Sequence, residues 1–229
     1  MKAIVFDLTN TLHLFDWKRL ESDFSGLLVK LEKTRKLGIE AFLEAFNKHY
    51  NYYQAGKIMN DEEFYEKIFE GLGIGFSGNE IQKIAADALA VRKNFVSLPA
   101  NLEKTLKKLK QDFLLGVLSN GIGDWAEKDW KMLGFNNKKY FDTEIYSQYT
   151  GLLKPDKRAF DMTLERLGVK AEQAVMVGDS ETEDIQGAKQ AGLSTVWLKK
   201  ERAKNCEHAD HVIWEIGELA ELKNKWKTG

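Results

Sequence analysis

The chain opens on an unbroken apolar run, Ala3-Ile4-Val5-Phe6, which stops at Asp7. A run this short and without alternation predicts a strand buried on both faces of a parallel sheet. The turn-like Leu8-Thr9-Asn10-Thr11-Leu12 follows. The period then changes. From Asp16 to about Phe95 the apolar residues recur at helical spacing, first Leu20, Phe24, Leu27, Leu28 and Leu31, then Ile39, Phe42, Leu43, Phe46 and Tyr50. Asn60, with Glu63 three residues on, predicts the start of a helix bearing Phe64, Ile68 and Phe69. Asn79 marks the next, bearing Ile81, Ile84, Ala88 and Val91. The segment is a helical insert of roughly 80 residues, large enough for its own small core. His49, Tyr50, Tyr52 and Tyr53 could face a site, but are read as part of that core.

After Pro99 strands and helices alternate. Asn101 is expected to cap a helix with Leu102, Leu106 and Leu109 on one face. Residues 113–118 form a buried apolar run that ends at Ser119-Asn120-Gly121. A helix over 125–133, a short strand over 143–146 and a helix over 156–167 behind Lys154-Pro155 come next. The apolar run 174–177 leads into Gly178-Asp179-Ser180-Glu181-Thr182-Glu183-Asp184. Strands over 195–198 and 211–213 and a last helix from 215 to about 226 complete the pattern. Such alternation implies an α/β fold with parallel pairing and right-handed crossovers.

Composition narrows the function classes. With 34 Lys and Arg against 35 Asp and Glu, the net charge is -1. No global field draws the chain to nucleic acid or to an anionic membrane. The single cysteine, Cys206, excludes an intrachain disulfide and a multi-thiolate metal site. No apolar run approaches the roughly 20 residues of a membrane helix. The N-terminus leads directly into a core strand, so a signal peptide is not expected. These features predict a cytoplasmic protein with a small-molecule substrate, and leave its oligomeric state open.

Polar residues with chemistry fall where strands end or helices begin: Asp7, Ser119, Lys154, and Asp179 with Asp184. Each alone has a plain structural explanation as a cap, a turn residue or a solvated lysine. Together they suit phosphoryl transfer. A carboxylate nucleophile needs cations beside it to approach a phosphate dianion. A hydroxyl at a helix start can hold a phosphate oxygen. A second carboxylate completes an oxygen-rich site suited to Mg2+.

In this order the residues resemble the haloacid dehalogenase superfamily, a mostly phosphatase group with a Rossmann-like core. The resemblance covers essentially the whole chain. The Asp-x-Asp-x-Thr motif is met by Asp7-Leu8-Thr9-Asn10-Thr11, the hydroxyl motif by Ser119, the lysine motif by Lys154, and the Gly-Asp motif by Gly178-Asp179 with Asp184. The helical insert lies where the family's first class of cap lies. The resemblance implies a Rossmann-like core over 1–14 and 97–229 and a helical cap over 15–96, whose two connections could act as hinges. It implies Asp7 as the nucleophile that forms an aspartyl-phosphate, and Asp7, the Thr9 carbonyl and Asp179 as ligands of Mg2+. Thr11, Ser119 and Asn120 would position the phosphate. Lys154 would bridge Asp7 and the phosphate, and Asp184 would support Lys154 or the metal. Glu183 is a lower-ranked acid.

One position departs from the family's phosphatases. Thr9 stands where they carry a second Asp, the general acid and base. A threonine hydroxyl does not take up a proton near neutral pH, and such help is worth about 10²–10⁴-fold. Three readings follow: a slow or specialised phosphatase, a carbon-centred hydrolase, or a phosphate-binding regulatory protein that does not turn over. The second would be 2-haloacid dehalogenase-like, although Asp179 retains the metal carboxylate. It could also be phosphonoacetaldehyde hydrolase-like, with Lys18, Lys30 or Lys57 as the reactive cap lysine. The phosphatase reading carries the most weight.

Overall fold

The computed structural model describes residues 1–199 and 208–227; Cys206 lies outside them. The first strand, β1 (Ala3–Phe6), is the centre of a six-stranded parallel sheet. Two short strands, β2 (Leu14–Phe15) and β3 (Val96–Ser97), bracket four helices: α1 (Trp17–Lys30), α2 (Ile39–Gln54), α3 (Asp61–Gly71) and α4 (Gly78–Arg92). The chain continues through α5 (Leu102–Leu109), β4 (Leu114–Ser119), α6 (Gly123–Met132), β5 (Thr143–Tyr146), α7 (Ser147–Thr150), α8 (Lys157–Leu167) and β6 (Ala174–Gly178). A π-helical turn over Glu181–Gln186 runs into α9 (Gly187–Gln190), and β7 (Ser194–Leu198), β8 (His211–Ile213) and α10 (Leu219–Lys227) follow. The sheet order is β5-β4-β1-β6-β7-β8.

Alternate residues of β1 feed two apolar layers, as the two-residue period of a strand requires. Ile4 and Phe6 pack with Leu106 and Leu109 of α5 and Trp130 of α6. Ala3 and Val5 pack on the other face with Phe160 and Leu164 of α8 and Ala188 of α9. Both faces are covered, which explains the continuous apolar runs in β1 and β6.

The four helices share a third cluster, aromatic in character, around Phe42, Tyr53, Phe64 and Phe69. Ile122 and Trp125, from the loop and helix after β4, belong to this same cluster. Where the inserted segment leaves and rejoins the sheet domain, β2 and β3 pair antiparallel, with Leu14 opposite Ser97 and Phe15 opposite Val96. No helix among the described residues is long and apolar enough to cross a membrane.

Asn60 accepts from the Glu63 N–H, as expected. The start of α4 lies earlier than Asn79: Ser77 is the N-cap, in a reciprocal capping box with Glu80. Asn101 precedes α5 in the left-handed conformation, φ 62°, and makes no side-chain cap. An Asn tolerates that conformation better than most residues, so it turns the chain here without capping the helix.

Candidate active site

Sheet topology assembles the site. The chain visits β4 on one side of β1 before it crosses to β6 on the other. The carboxyl ends of these three strands face one crevice, where a doubly wound sheet opens to ligands. Asp7 follows β1, Ser119 ends β4 and Gly178 ends β6. The Asp7 N–H donates to the Val177 carbonyl at 2.9 Å, so the carboxylate is set by the register of the sheet.

Lys154 enters from the loop before α8. Its Nζ donates to Asp7 Oδ1 at 2.7 Å and to Asp184 Oδ1 at 2.6 Å. The Lys154 side chain is fully buried. Asp184 is fixed in turn by the Ser180 N–H, which donates to Oδ2 at 2.9 Å. Glycine at 178 makes room for this: a Cβ there would stand 2.2 Å from Asp184 Oδ2. At Gly121 a Cβ would stand 2.8 Å from Ser119 Oγ, so the loop wraps the hydroxyl with no space for a side chain.

Charge is concentrated here. Oxygen atoms of Asp7, Asp179 and Asp184 lie within 4.8 Å of one another. Burial pushes the Asp7 carboxyl up to about 7; Lys154 opposes the rise, while Asp184 and Asp179 add to it. Burial disfavours the Lys154 ammonium, but Asp184 and Asp7 outweigh it and hold the group above its ordinary value. Burial also raises the Glu183 carboxyl. Asp7 Oδ2 and Thr11 Oγ1 are buried and meet no hydrogen-bond partner. Buried acceptors are costly when left unpaired. A donor set of carboxylate oxygens beside an orphaned carboxylate oxygen fits a hard divalent cation, so the cluster could hold a metal ion.

Other expected residues are placed as follows. Thr9 is half-buried and lines a cavity between the sheet's loop end and helices α1–α4. Asn120 was expected at the phosphate. Its amide is instead occupied at both ends by the Lys154 backbone: Nδ2 donates to the Lys154 carbonyl at 2.7 Å, and Oδ1 accepts from the Lys154 N–H at 2.6 Å. The side chain thus fixes the loop that carries the lysine.

A family model for haloacid dehalogenase-like hydrolases matches residues 1–192. The chain belongs to this family. A glyceraldehyde 3-phosphate phosphatase of Methanocaldococcus jannaschii is 30% identical over 97% of this chain and 95% of that one. A ribulose-1,5-bisphosphate 5-phosphatase of Halopiger xanaduensis is 28% identical over 96% of this chain and 98% of its own. Among solved structures, the 2-haloacid dehalogenase of Pseudomonas syringae pv. Tomato DC3000 superposes with a TM-score of 0.71, at 26% identity, over 99% of both chains.

Within this haloacid dehalogenase-like hydrolase the structure adds residues that the sequence reading missed. Gln54, in the last turn of α2, donates from Nε2 to the Asn120 carbonyl. Tyr50, one turn earlier and expected in the core, lines the cavity. Arg92 of α4 and Asp129 of α6 form a buried bidentate pair, at 2.8 Å from Nε and 2.5 Å from Nη2. His13 is fully buried, and neither ring nitrogen has a hydrogen-bond partner. The Arg92–Asp129 pair left no sequence signal because its members stand 37 residues apart. His13 did leave one, as a polar residue within the apolar stretch Leu12-His13-Leu14-Phe15.

Proposed function

We propose that this hydrolase is a Mg2+-dependent phosphatase of small phosphorylated metabolites that works through an aspartyl-phosphate on Asp7. The observation that carries the reading is the Lys154 ammonium held between Asp7 and Asp184 at the mouth of the crevice. The phosphatase names of full-length relatives support it. Residues 15–96 act as the cap and 1–14 with 97–229 as the core. The enzyme acts in the cytoplasm and needs neither nucleic acid nor membrane.

An Asp7 carboxylate oxygen attacks phosphorus, and the ester P–O bond breaks. Lys154 screens the repulsion between this carboxylate and the phosphoryl oxygens. Thr11 and Ser119 donate hydroxyl hydrogen bonds to those oxygens. The leaving alkoxide takes its proton from a water molecule, which becomes hydroxide, because the Thr9 hydroxyl is too weak an acid to give one at neutral pH. The oxygen of that hydroxide then bonds to phosphorus, the bond to Asp7 breaks, and inorganic phosphate leaves carrying the hydroxide's proton. Asp7, Asp179 and the Thr9 carbonyl would hold Mg2+, which when bound supplies positive charge between Asp7 and the phosphoryl group. Asp184 and Asn120 position Lys154.

Carbon-centred hydrolysis is the second reading, favoured by Thr9 and by the likeness to a 2-haloacid dehalogenase. Its phosphonoacetaldehyde-like form has no lysine in place: Lys18, Lys30 and Lys57 are all exposed and none lines the cavity. Mass spectrometry after acid quench distinguishes the readings. With a phosphate ester and Mg2+, Asp7 should become one phosphoryl group heavier, and Asp7→Asn should abolish both the adduct and turnover. An unmodified Asp7 together with halide release from a 2-haloacid would overturn the phosphatase reading.

A further inference from the structure

The cavity beside Thr9 has a volume of about 120 Å³. Phe24, Phe46, Tyr50 and Tyr65 of the first three helices line it together with Ile122 and Trp125. The cavity lies beside the reaction site: Leu8 and Thr9, the two residues after Asp7, and Gly121, two past Ser119, line it. A group bonded to a phosphate held between Asp7 and Ser119 would extend into it. Trp17, stacked on Phe15 at 5.4 Å and 55% exposed, stands at the rim.

One part of the cavity lining is polar. Arg92 and Asp129 line it but are spent on each other. His13 also lines it, with both ring nitrogens unpartnered and Nδ1 3.9 Å from Asp129 Oδ2, too long for a hydrogen bond. A neutral imidazole offers one donor and one acceptor.

Resting on the phosphatase reading above, we propose that this cavity holds the leaving group of the substrate, a flat apolar ring that carries a hydrogen-bonding group for His13. An apolar cavity of about 150 Å³ takes up a benzene ring, so the size suits one ring. A polyol of similar size would set hydroxyls against walls that are mostly aromatic and aliphatic, where a ring buries its whole surface. The chemistry therefore selects against small polyol and aldehyde phosphates such as the one for which the Methanocaldococcus relative is named.

The test compares turnover of benzyl phosphate, pyridylmethyl phosphate and glycerol 3-phosphate, and calorimetric binding of benzylphosphonate and methylphosphonate, all with Mg2+. We expect kcat/KM for benzyl phosphate to exceed that for glycerol 3-phosphate by about tenfold or more, the scale on which apolar pockets discriminate. Pyridylmethyl phosphate should do better again, and His13→Leu should remove that increment. Ala85 lines the cavity from α4, and Ala85→Trp should fill it and raise KM for benzyl phosphate. Glycerol 3-phosphate turned over as well as benzyl phosphate by the wild type would overturn the inference, whether or not either variant folds. Should no ester be turned over, the phosphatase reading falls while the phosphonates still decide the pocket. Tighter benzylphosphonate would uphold the pocket and equal affinities would remove it.

Discussion

Thr9 separates this site from a complete phosphatase set, and its position gives the substitution a clear consequence. The residue lines the cavity where the leaving group would sit, so Thr9→Asp would place a carboxyl beside the departing oxygen. The backbone carbonyl at position 9 is unchanged. Turnover of alkyl phosphates should rise by about 10²-fold, the lower end of what a positioned acid supplies. Phenyl phosphates, whose leaving groups need little protonation, should gain less. Steady-state rates of both proteins on an alkyl and an aryl ester measure this; an equal or lower alkyl rate in a folded variant would show that Thr9 is not a lost acid. His13 makes a second prediction. Burial, with a smaller effect of Arg92, holds its imidazole down at about 3 against an ordinary 6.5. The unfolded chain therefore binds a proton below pH 6.5 that the folded chain refuses until about pH 3, and stability falls as pH falls through that window. From pH 7 to pH 5 this costs about 2 kcal/mol. Asp7 is raised and has the opposite sign, but it is common to both proteins when His13→Gln is compared with wild type. Urea midpoints at the two pH values should show a loss smaller by that amount in His13→Gln; parallel losses would place the imidazole in contact with water. Asp7, Ser119, Lys154 and Asp179 were legible in the sequence because each ends a strand or precedes a helix. The closure of Asn120 on the Lys154 backbone was not, because which partner an amide meets depends on how two loops cross.

At the level of elements, the helices of the insert were legible wherever one apolar face persisted for several turns, as in α2 and α3. The β2–β3 ribbon was not, since two residues per strand are too few to show a period. Nor was the π-helical turn over Glu181–Gln186, which brings Asp184 under Gly178. Polar contacts join the shared aromatic cluster in tying insert to sheet domain. Asp61 of α3 accepts from Tyr53 of α2, and from Trp125 Nε1 at 2.7 Å and Lys128 Nζ of α6. Arg92 of α4 pairs with Asp129 of α6, and the guanidinium lies 4.8 Å over the Trp125 ring. Breaking such a pair from one side leaves a buried charge with no partner, whereas replacing both sides with apolar groups removes the desolvation cost as well. Asp129→Ala should therefore lose about 3–5 kcal/mol in denaturant unfolding. The double variant Arg92→Met with Asp129→Leu should lose less than the single one. A single variant within about 1 kcal/mol of wild type would mean that the pair does not bind α4 to α6 in solution.

On the scale of the whole molecule, the question is whether the two apolar bodies unfold together. The aromatic cluster of α1–α4 includes Ile122 and Trp125, which follow the strand that carries Ser119. Opening the insert would expose these rings, strip Asp61 of its Trp125 and Lys128 partners and release Gln54 from Asn120. These shared contacts favour one cooperative transition, despite a chain of 229 residues. Phosphate at the crevice would meet the ends of β1, β4 and β6 and Lys154, none of them in the insert, yet in a cooperative molecule its binding energy must protect the insert as well. Mg2+ with inorganic phosphate is the probe that the proposed function supplies. At about 100 times the dissociation constant it should stabilise the folded state by about 2.7 kcal/mol. For a protein of this size that is a rise in Tm of about 5–11 °C. Calorimetry should show one peak moving as a whole, with near-ultraviolet circular dichroism of the insert's aromatics following the same curve. Asp179→Asn should abolish most of the shift, because it removes one carboxylate of the cluster and leaves the Lys154 bridge in place. Two peaks, of which only one responds to the ligand, would show that the insert unfolds by itself and that the polar ties across the interface are too weak to couple it to the sheet.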